Sequence, residues 1–376
     1  MVSSLRRIWA VFTKEAVQMR RDRLTSAMMF VIPIVQLVLF GYAINLNPRH
    51  LPAALLVEEQ TPVVRTITQA LVTSEYYDFV MQTDDPRASQ ELLARGKVSF
   101  VVSIPSGFTR DLVRGEHPQI LIEADASDPA AASGAVRNAR AIIEQALRHD
   151  LKGPLSGLAT GPPAFDLVVH SKYNPEAKTS YNIVPGLLGV ILTMTLVMIT
   201  AVAVTREVEQ GTMENLLAMP ARPAEVMLGK ILPYVVVGSV QTIVILTAAR
   251  LMFDVPFMGE LWVLLIGVAI FVVANLSLGF TFSTVAKSQM QAMQLTFFYF
   301  LPSILLSGFM FPFRGMPGWA QAIGEVLPLT HFLRIVRGVM LKSATFAQVQ
   351  AEMAALCLFT AFVMALALMR YRRTLD

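Results

Sequence analysis

The chain has 376 residues, of which 54% are hydrophobic and 15% are charged, with a formal net charge of +4. Because soluble domains carry about 25% charged residues, this composition excludes an ordinary soluble protein and indicates an integral membrane protein. The basic residues cluster beside apolar runs, which argues against nucleic acid as a partner, and the single cysteine, Cys357, excludes an internal disulfide.

Residues 1–23 carry the pattern of a basic amphipathic helix. Apolar residues recur in steps of four and three, and the basic residues Arg7, Lys14 and Arg21 occupy another face. The pattern predicts a cytoplasmic helix that lies on anionic membrane lipid, and packing against the protein itself is the alternative. Residues 24–46 then predict an uncleaved first transmembrane helix, because no small-residue cleavage site follows them.

Six apolar runs approach the length of about 20 residues that crosses a bilayer. The sequence therefore predicts an α-helical polytopic membrane protein with six transmembrane helices, the second to sixth within residues 176–370. Basic residues precede the first run and follow the last, which places both termini, including the tail 371–376, in the cytoplasm. The runs are Leu24–Ile44, Tyr181–Val204, Ile231–Ala249, Leu261–Ala286, Ser288–Phe313 and Met353–Met369.

Residues 47–175 form the only sizeable polar block, and they alternate short β patterns with helical ones. We expect an inserted extracytoplasmic α/β domain with a partly parallel sheet. Its histidines are scattered and no serine lies in a nucleophile-elbow context, so a binding or docking module is favoured over an enzyme. Strands are predicted at Ala53–Val57, Tyr77–Gln82, Val98–Ile104, Gln119–Ala124 and Phe165–Ser171, and helices at Pro62–Thr73, Pro86–Arg95, Ser106–Arg114 and Pro129–Leu151.

A charged segment, residues 205–223, interrupts the membrane part between the second and third runs. Its sequence, TREVEQGTMENLLAMPARP, has a helical pattern that places Glu207, Gln210 and Glu214 on one face. Pro220 and Pro223 are expected to end this helix before the chain re-enters the membrane. The topology places the segment in the cytoplasm, where its mixed-charge surface predicts contact with another protein.

Residues 312–342 follow the fifth run on the outer side, although they hold several basic residues. Their prolines and apolar residues predict short re-entrant or interfacial helices, and a miscounted fifth span is the alternative. The four charged residues that we expect to pair with one another there are Glu325, His331, Arg334 and Arg337.

The membrane part offers no energy source of its own. Transporters that run on ion gradients usually keep ionisable groups inside the membrane, and the six runs hold none at depth. The chain also lacks the G-x-x-x-x-G-K-[ST] loop that cradles phosphates. Energy for transport must therefore enter from a separate protein, and residues 205–223 are the natural place for it.

Three stretches resemble one known family. TREVEQGTMENLLAMPARPAEVMLGKILPY, QAMQLTFFYFLPSILLSGFMFPFRGMPGWAQ with LPLTHFLRIVRG, and KEAVQMRRDR before the first run are similar to type-2 ATP-binding-cassette exporter permeases. The resemblance is to the bacterial drug-efflux branch, which has a large external domain after the first span. It covers essentially the whole chain.

This resemblance implies a permease of the inner membrane that exports small hydrophobic or amphipathic, drug-like compounds. Two permeases, identical or close paralogues, would each dock one ATPase subunit, which would bind ATP and Mg²⁺; this chain would bind no cofactor or metal and hold no catalytic residue. A periplasmic adaptor is a further candidate partner. The ATPase-coupling residues implied are Arg206, Glu207, Glu209, Gly211, Thr212, Glu214, Leu217 and Pro220.

Two further sets of residues are candidates for the transport route. Adaptable apolar side chains suit varied hydrophobic compounds, although the same residues are typical of ordinary packing. The substrate-pathway candidates are Met194, Met198, Met293, Phe297 and Phe298, and the outer-gate candidates are Pro312, Pro317, Pro328 and His331.

Two other functions compete with drug export. A membrane receptor or scaffold that does not transport would use the external α/β domain to bind a ligand or partner. A lipid or polysaccharide exporter would keep the transporter and change the cargo.

Overall fold

The computed structural model describes residues 49–127, 129–150, 164–176, 178–210 and 223–373, in which an α/β domain precedes a bundle of helices. The predicted amphipathic helix 1–23 and first transmembrane helix 24–46 lie outside these residues. The predicted tail 371–376 begins within the last helix, which continues to Arg373.

The α/β domain contains the strands and helices that the sequence predicts, with ends shifted by one or two residues. The first residues of its helices are fixed locally: the side chain of Thr61 accepts a hydrogen bond from the Val64 N–H and that of Asp85 from the Arg87 N–H, which is N-capping. The elements are β1 Leu51–Val57, α1 Pro62–Thr73, β2 Tyr77–Thr83, α2 Pro86–Ala94, β3 Phe100–Ile104, α3 Phe108–Arg114, β4 Gln119–Asp125, α4 Pro129–Asp150 and β5 Asp166–Lys172.

The sheet has five strands in the order β2-β1-β3-β4-β5. Neighbouring strands are parallel except β3 and β4, which are antiparallel, so the predicted partly parallel sheet is confirmed. One face packs on α1, α3 and α4 through buried residues such as Ile67, Phe108 and Ile143. The other face packs on α2 through Leu93, and both layers bury the apolar runs of β1 and β3, as expected for central parallel strands.

The helical bundle follows the sheet. Among the described residues, four helices are long and apolar enough to cross a membrane: Ser180–Glu207, Pro233–Phe253, Leu261–Ser283 and Phe346–Arg370. They correspond to the second, third, fourth and sixth predicted runs. The elements are α5 Thr179–Glu209, α6 Pro223–Phe253, α7 Leu261–Ser283, α8 Gln289–Leu306, a 3₁₀ turn Phe313–Gly315, α9 Gly318–Gly324, α10 Pro328–Lys342 and α11 Phe346–Arg373.

The predicted fifth run is shorter as a helix than as an apolar stretch. We expected it to reach Phe313, whereas α8 has 18 residues and ends at Leu306. Gly308 then adopts φ +85°, a left-handed conformation that glycine tolerates and that ends a helix. The chain turns there because the backbone at this glycine leaves the helical region, which apolar composition alone does not reveal.

Helix α10 is packed into the core of the bundle. Phe332 of α10 stacks on Phe271 of α7 with ring centroids 4.1 Å apart, and both side chains are fully buried. Helix α5 approaches closely because it presents Gly189, where an added Cβ would lie 2.7 Å from the Leu329 side chain. In a membrane, helices are held together by such close van der Waals packing, so α10 is a structural centre of the bundle rather than a surface loop.

The two ends of α5 define the two ends of the bundle. The helix has 31 residues, which at 1.5 Å per residue gives about 46 Å. It begins seven residues after β5 ends at Lys172 and it finishes at Glu209. The α/β domain and the start of the charged segment therefore lie at opposite ends of the bundle.

Candidate coupling and gate sites

The first residues of the charged segment form the last turns of α5, which continues through Glu209. Thr205 is buried and its hydroxyl donates to the Ala201 carbonyl at 2.8 Å, whereas Arg206 is exposed. Pro223 is the first residue of α6. The coupling candidates that lie outside the described residues are Gly211, Thr212, Glu214, Leu217 and Pro220.

The two described glutamates of this segment have different surroundings. Glu207 is half-buried and engaged with the protein. Glu209 is exposed, and its Oε2 accepts hydrogen bonds from the backbone N–H of Gln289 at 3.2 Å and from Gln289 Nε2 at 3.0 Å. Since Gln289 is the first residue of α8, the end of α5 is joined to the start of α8.

Small residues bring α5 and α8 together next to this contact. Ala201 of α5 packs with Ala286 and Ala292 in a buried cluster. Ser288 caps α8 by accepting a hydrogen bond from the Gln291 N–H at 3.3 Å. At the end that we predict to face the cytoplasm, α5 and α8 therefore pack closely, and hydrogen bonds between Glu209 and Gln289 connect them.

The substrate-pathway candidates lie on these same two helices, which pack against each other. Met194 and Met198 are four residues apart on α5 and both are half-buried. Met293 and Phe297 are four residues apart on α8 and are 38% and 50% exposed, while Phe298 is half-buried. Each helix therefore carries one apolar strip, formed by Met194 and Met198 on α5 and by Met293 and Phe297 on α8.

The outer-gate prolines mark the starts of three short elements. Pro312 precedes the 3₁₀ turn, Pro317 precedes α9 and Pro328 opens α10. Proline suits these positions because it lacks the N–H that a helix start leaves unpaired. Pro312 and Pro328 are buried, and His331, which follows on α10, is 8% exposed.

His331 belongs to an ionic cluster that joins α9, α10 and α11. Its Nδ1 lies 2.5 Å from Glu352 Oε2 and its Nε2 lies 2.8 Å from the Glu325 backbone oxygen. Arg334 donates to Glu325 Oε2 at 3.0 Å and to Glu352 Oε1 at 3.3 Å, and its guanidinium lies 4.7 Å from the centre of the Phe313 ring. We call His331, Arg334, Glu325 and Glu352 the outer ionic cluster.

The surroundings of His331 favour its charged form. Burial alone would lower the pKa of His331, but the hydrogen bond to the Glu352 carboxylate and the one to the Glu325 backbone carbonyl together raise that pKa above its usual value. Both ring nitrogens face acceptors, and only the imidazolium can donate to two acceptors at once. The nearby Arg334 opposes this shift.

The predicted pairing is confirmed for Glu325, His331 and Arg334. Arg337 donates to the Gly308 carbonyl at 3.1 Å, which joins α10 to the turn that follows α8. Glu352 was missed, although it is the charged residue that directly precedes the uncharged run Met353–Met369. The sequence did offer a signal for this residue, because a lone carboxylate at the edge of an apolar helix can pair with the basic residues of the segment 312–342.

The α/β domain contacts the segment 312–342 through two of its basic residues, Arg314 and Lys342. Arg314 donates to the carbonyl oxygens of Gly96 and Lys97, in the latter case at 3.1 Å, and burial lowers its pKa. Lys342 pairs with Asp125, and both side chains are largely buried, at 10% and 14% exposed. We call these contacts the sheet–gate junction.

The described residues contain no group of three or more His, Cys, Asp or Glu side chains that could hold a metal ion.

Comparison with known proteins gives a consistent result. A family model described as ABC-2 family transporter protein matches residues 23–369. The probable multidrug ABC transporter permease YbhS of Escherichia coli is 30% identical over 90% of this chain and 90% of its own length. The probable multidrug ABC transporter permease YbhR is 26% identical over 98% of both chains, and the inner membrane transport permease YhhJ is 28% identical over 75% of both.

Proposed function

The chain belongs to the ABC-2 family of transporter proteins, and on that premise we propose that it is the permease subunit of an ATP-binding-cassette exporter. Its cargo would be small hydrophobic or amphipathic, drug-like compounds taken from the cytoplasm or the inner leaflet. The observation that carries the proposal is the similarity to YbhS over 90% of both chains, because that relative is named a probable multidrug ABC transporter permease. The four apolar helices support the assignment to a membrane protein.

The energy for this export would come from a separate ATP-binding-cassette ATPase subunit. The sequence holds no phosphate-binding loop of its own, so ATP and Mg²⁺ would bind to the partner. The charged segment 205–223 would receive the ATPase, since carboxylates on an exposed helix can bind basic residues of a partner groove. Arg206 is exposed at the end of α5, in keeping with this role.

We assign the protein to the bacterial inner membrane with six spans and both termini in the cytoplasm. The α/β domain would then lie outside the cytoplasm, because it is at the end of the bundle opposite to Glu209. A second permease, identical or a close paralogue, would complete the pathway, and a periplasmic adaptor would bind the external domain.

Cargo would move along the α5 and α8 strips that carry Met194, Met198, Met293, Phe297 and Phe298. The exposed apolar side chains of α8 support this route, because a surface of methionine and phenylalanine adapts to ligands of varied shape. Helices α9 and α10 would act as the outer gate.

Reconstitution tests this function directly. The permease and its ATPase subunit, co-expressed and placed in inside-out vesicles, should accumulate ethidium, an amphipathic cation, only when ATP is present. Vesicles with either subunit alone are the controls. ATP hydrolysis by the complex without accumulation of ethidium or of uncharged amphipathic dyes would contradict drug export, and failure of the two subunits to co-purify would contradict the permease role.

A further inference from the structure

Glu209 makes its described contacts with α8 of its own chain. The coupling role implied for it by resemblance is contact with the ATPase, yet its Oε2 accepts two hydrogen bonds from one residue, Gln289, at 3.2 and 3.0 Å. Hydrogen bonds to a charged group are stronger than those between neutral groups.

The contact joins the end of one helix directly to the start of another. Glu209 is the last residue of α5 and the coupling segment continues from it, while Gln289 opens α8. Buried alanines at 201, 286 and 292 hold the two helix ends together. A displacement of Glu209 would therefore reach the first turn of α8 through this direct contact.

Helix α8 is also the helix whose movement would matter for cargo. Met290, Met293 and Phe297 follow Gln289 on one exposed side of α8. A rotation imposed at the first turn of a helix is carried along its hydrogen-bonded length, so these side chains turn together with Gln289.

We infer that Gln289 is a positioning residue that passes movement of the coupling segment to α8, and that Glu209 acts on α8 rather than on the ATPase. This inference rests on the proposed function as an ATP-driven permease. It separates Glu209 from the other acidic residues of the segment.

Charge makes the inference testable. Gln289→Lys keeps the backbone hydrogen bond and replaces the side-chain hydrogen bond by an ion pair with Glu209, whereas Gln289→Glu places two carboxylates against each other. The side chains introduced in these two variants carry opposite charges and are similar in length. The double variant Glu209→Lys with Gln289→Glu restores an ion pair with the charges exchanged, which a docking role for Glu209 would not tolerate.

The reporter is a single cysteine on α8. Cys357 is the only cysteine in the chain, so Cys357→Ser followed by Met293→Cys gives one labelling site. The complex of permease and ATPase in lipid nanodiscs is labelled with a maleimide in the absence of nucleotide and again after trapping with ATP and vanadate. ATP hydrolysis is measured on the same samples.

We expect trapping to change the labelling rate in the parent protein, and we expect this change to be lost in Gln289→Glu and kept in Gln289→Lys and in the charge-exchanged double variant. A merely structural role would lower ATP hydrolysis and labelling response together in proportion to assembly. A parent complex that hydrolyses ATP without a change in labelling, a retained response in Gln289→Glu, or no rescue by charge exchange would overturn the inference. A parent complex that hydrolyses no ATP would instead overturn the proposed function.

Discussion

Asp125 at the end of β4 and Lys342 at the end of α10 form an ion pair across 217 residues of sequence. The ammonium group of Lys342 also lies 5.3 Å from the centre of the Tyr173 ring. Burial, together with the charges of Asp125 and Glu123, raises the pKa of Tyr173 to about 12, so this ring stays neutral beside the pair. The contact ties the sheet to the helix at the centre of the bundle.

Removal of one partner of this pair should be costly. Asp125→Ala leaves the Lys342 charge in a site where it is 10% exposed, and loss of one partner of a buried pair costs about 3–5 kcal/mol. The double variant Asp125→Leu with Lys342→Met should recover most of this loss. Thermal unfolding of the purified protein in detergent measures both.

The exposed pair Arg49–Glu75 is the control for this prediction. Its side chains are 54% and 53% exposed, and such pairs are worth about 0–1 kcal/mol. Arg49→Ala should therefore change the unfolding temperature little. Equal losses for Arg49→Ala and Asp125→Ala would show that the sheet–gate junction is not a buried electrostatic contact.

The outer ionic cluster should make stability depend on pH through His331. Its folded-state pKa is raised, so its contribution is fully present below the unfolded value of about 6.5 and is lost as pH rises through the folded pKa. The unfolding temperature of the native protein minus that of His331→Gln should therefore fall as pH increases.

The other charged groups that face His331 are Glu325, Glu352 and Arg334. Arg334→Lys keeps the charge of this residue and serves as a comparison that should retain the pH dependence. A difference between the native protein and His331→Gln that is constant with pH would contradict the charged form of His331.

Close packing between α5 and α7 should make Gly279 intolerant of substitution. A Cβ at this position would lie 2.6 Å from the Val197 backbone oxygen and 2.9 Å from Thr200 Cβ. Since a backbone atom cannot move aside as a side chain can, Gly279→Ala should destabilise the protein by about 1–3 kcal/mol.

Gly318→Ala is the matched control for this packing effect. An added Cβ at Gly318 has no heavy atom within 4 Å, so the same chemical change should leave the unfolding temperature nearly unaltered. Similar behaviour of the two variants would mean that α5 and α7 do not approach as closely as described.

Charge reversal on the coupling segment should prevent assembly or uncouple the transporter. In Glu207→Lys with Glu214→Lys, two carboxylates that are proposed to face the ATPase become cations, which replaces attraction by repulsion. Co-purification of the ATPase and ATP-dependent ethidium accumulation should both fall.

A double charge reversal in the α/β domain, Glu91→Lys with Glu116→Lys, changes net charge equally. Because these residues are exposed and lie far from Glu209 along the chain, assembly should be retained. Normal export by the Glu207→Lys, Glu214→Lys variant would show that the segment does not couple to the ATPase.

The α/β domain could be predicted from sequence because its signals are local. Helix starts at Pro62 and Pro86 follow capping residues, and the strands are short apolar runs between them. No local sequence pattern indicates that β3 and β4 pair in an antiparallel direction. The sequence therefore predicted a partly parallel sheet but not which pair of strands is antiparallel.

The end of α8 and the place of α10 were harder to predict. Apolar composition continues past Leu306, and the backbone turn at Gly308 ends the helix without a change in hydropathy. Residues 312–342 were expected to form short re-entrant or interfacial helices because of their prolines and apolar residues. Helix α10 instead packs in the core of the bundle, where Arg334 faces Glu352 and Arg337 faces the Gly308 carbonyl. The position of α10 depends on contacts with residues distant in sequence, which a local sequence pattern does not reveal.

The contact between Arg314 and the turn after α2 has a consequence for sequence divergence. Arg314 binds the carbonyl oxygens of Gly96 and Lys97, which every amino acid provides, and it therefore places no demand on the side chain at position 97. Gly96 is different because it adopts φ +66°, which favours glycine. The α/β domain can therefore change the side chain at position 97 without losing this contact with the helices, whereas its ion pair with Lys342 requires the carboxylate of Asp125.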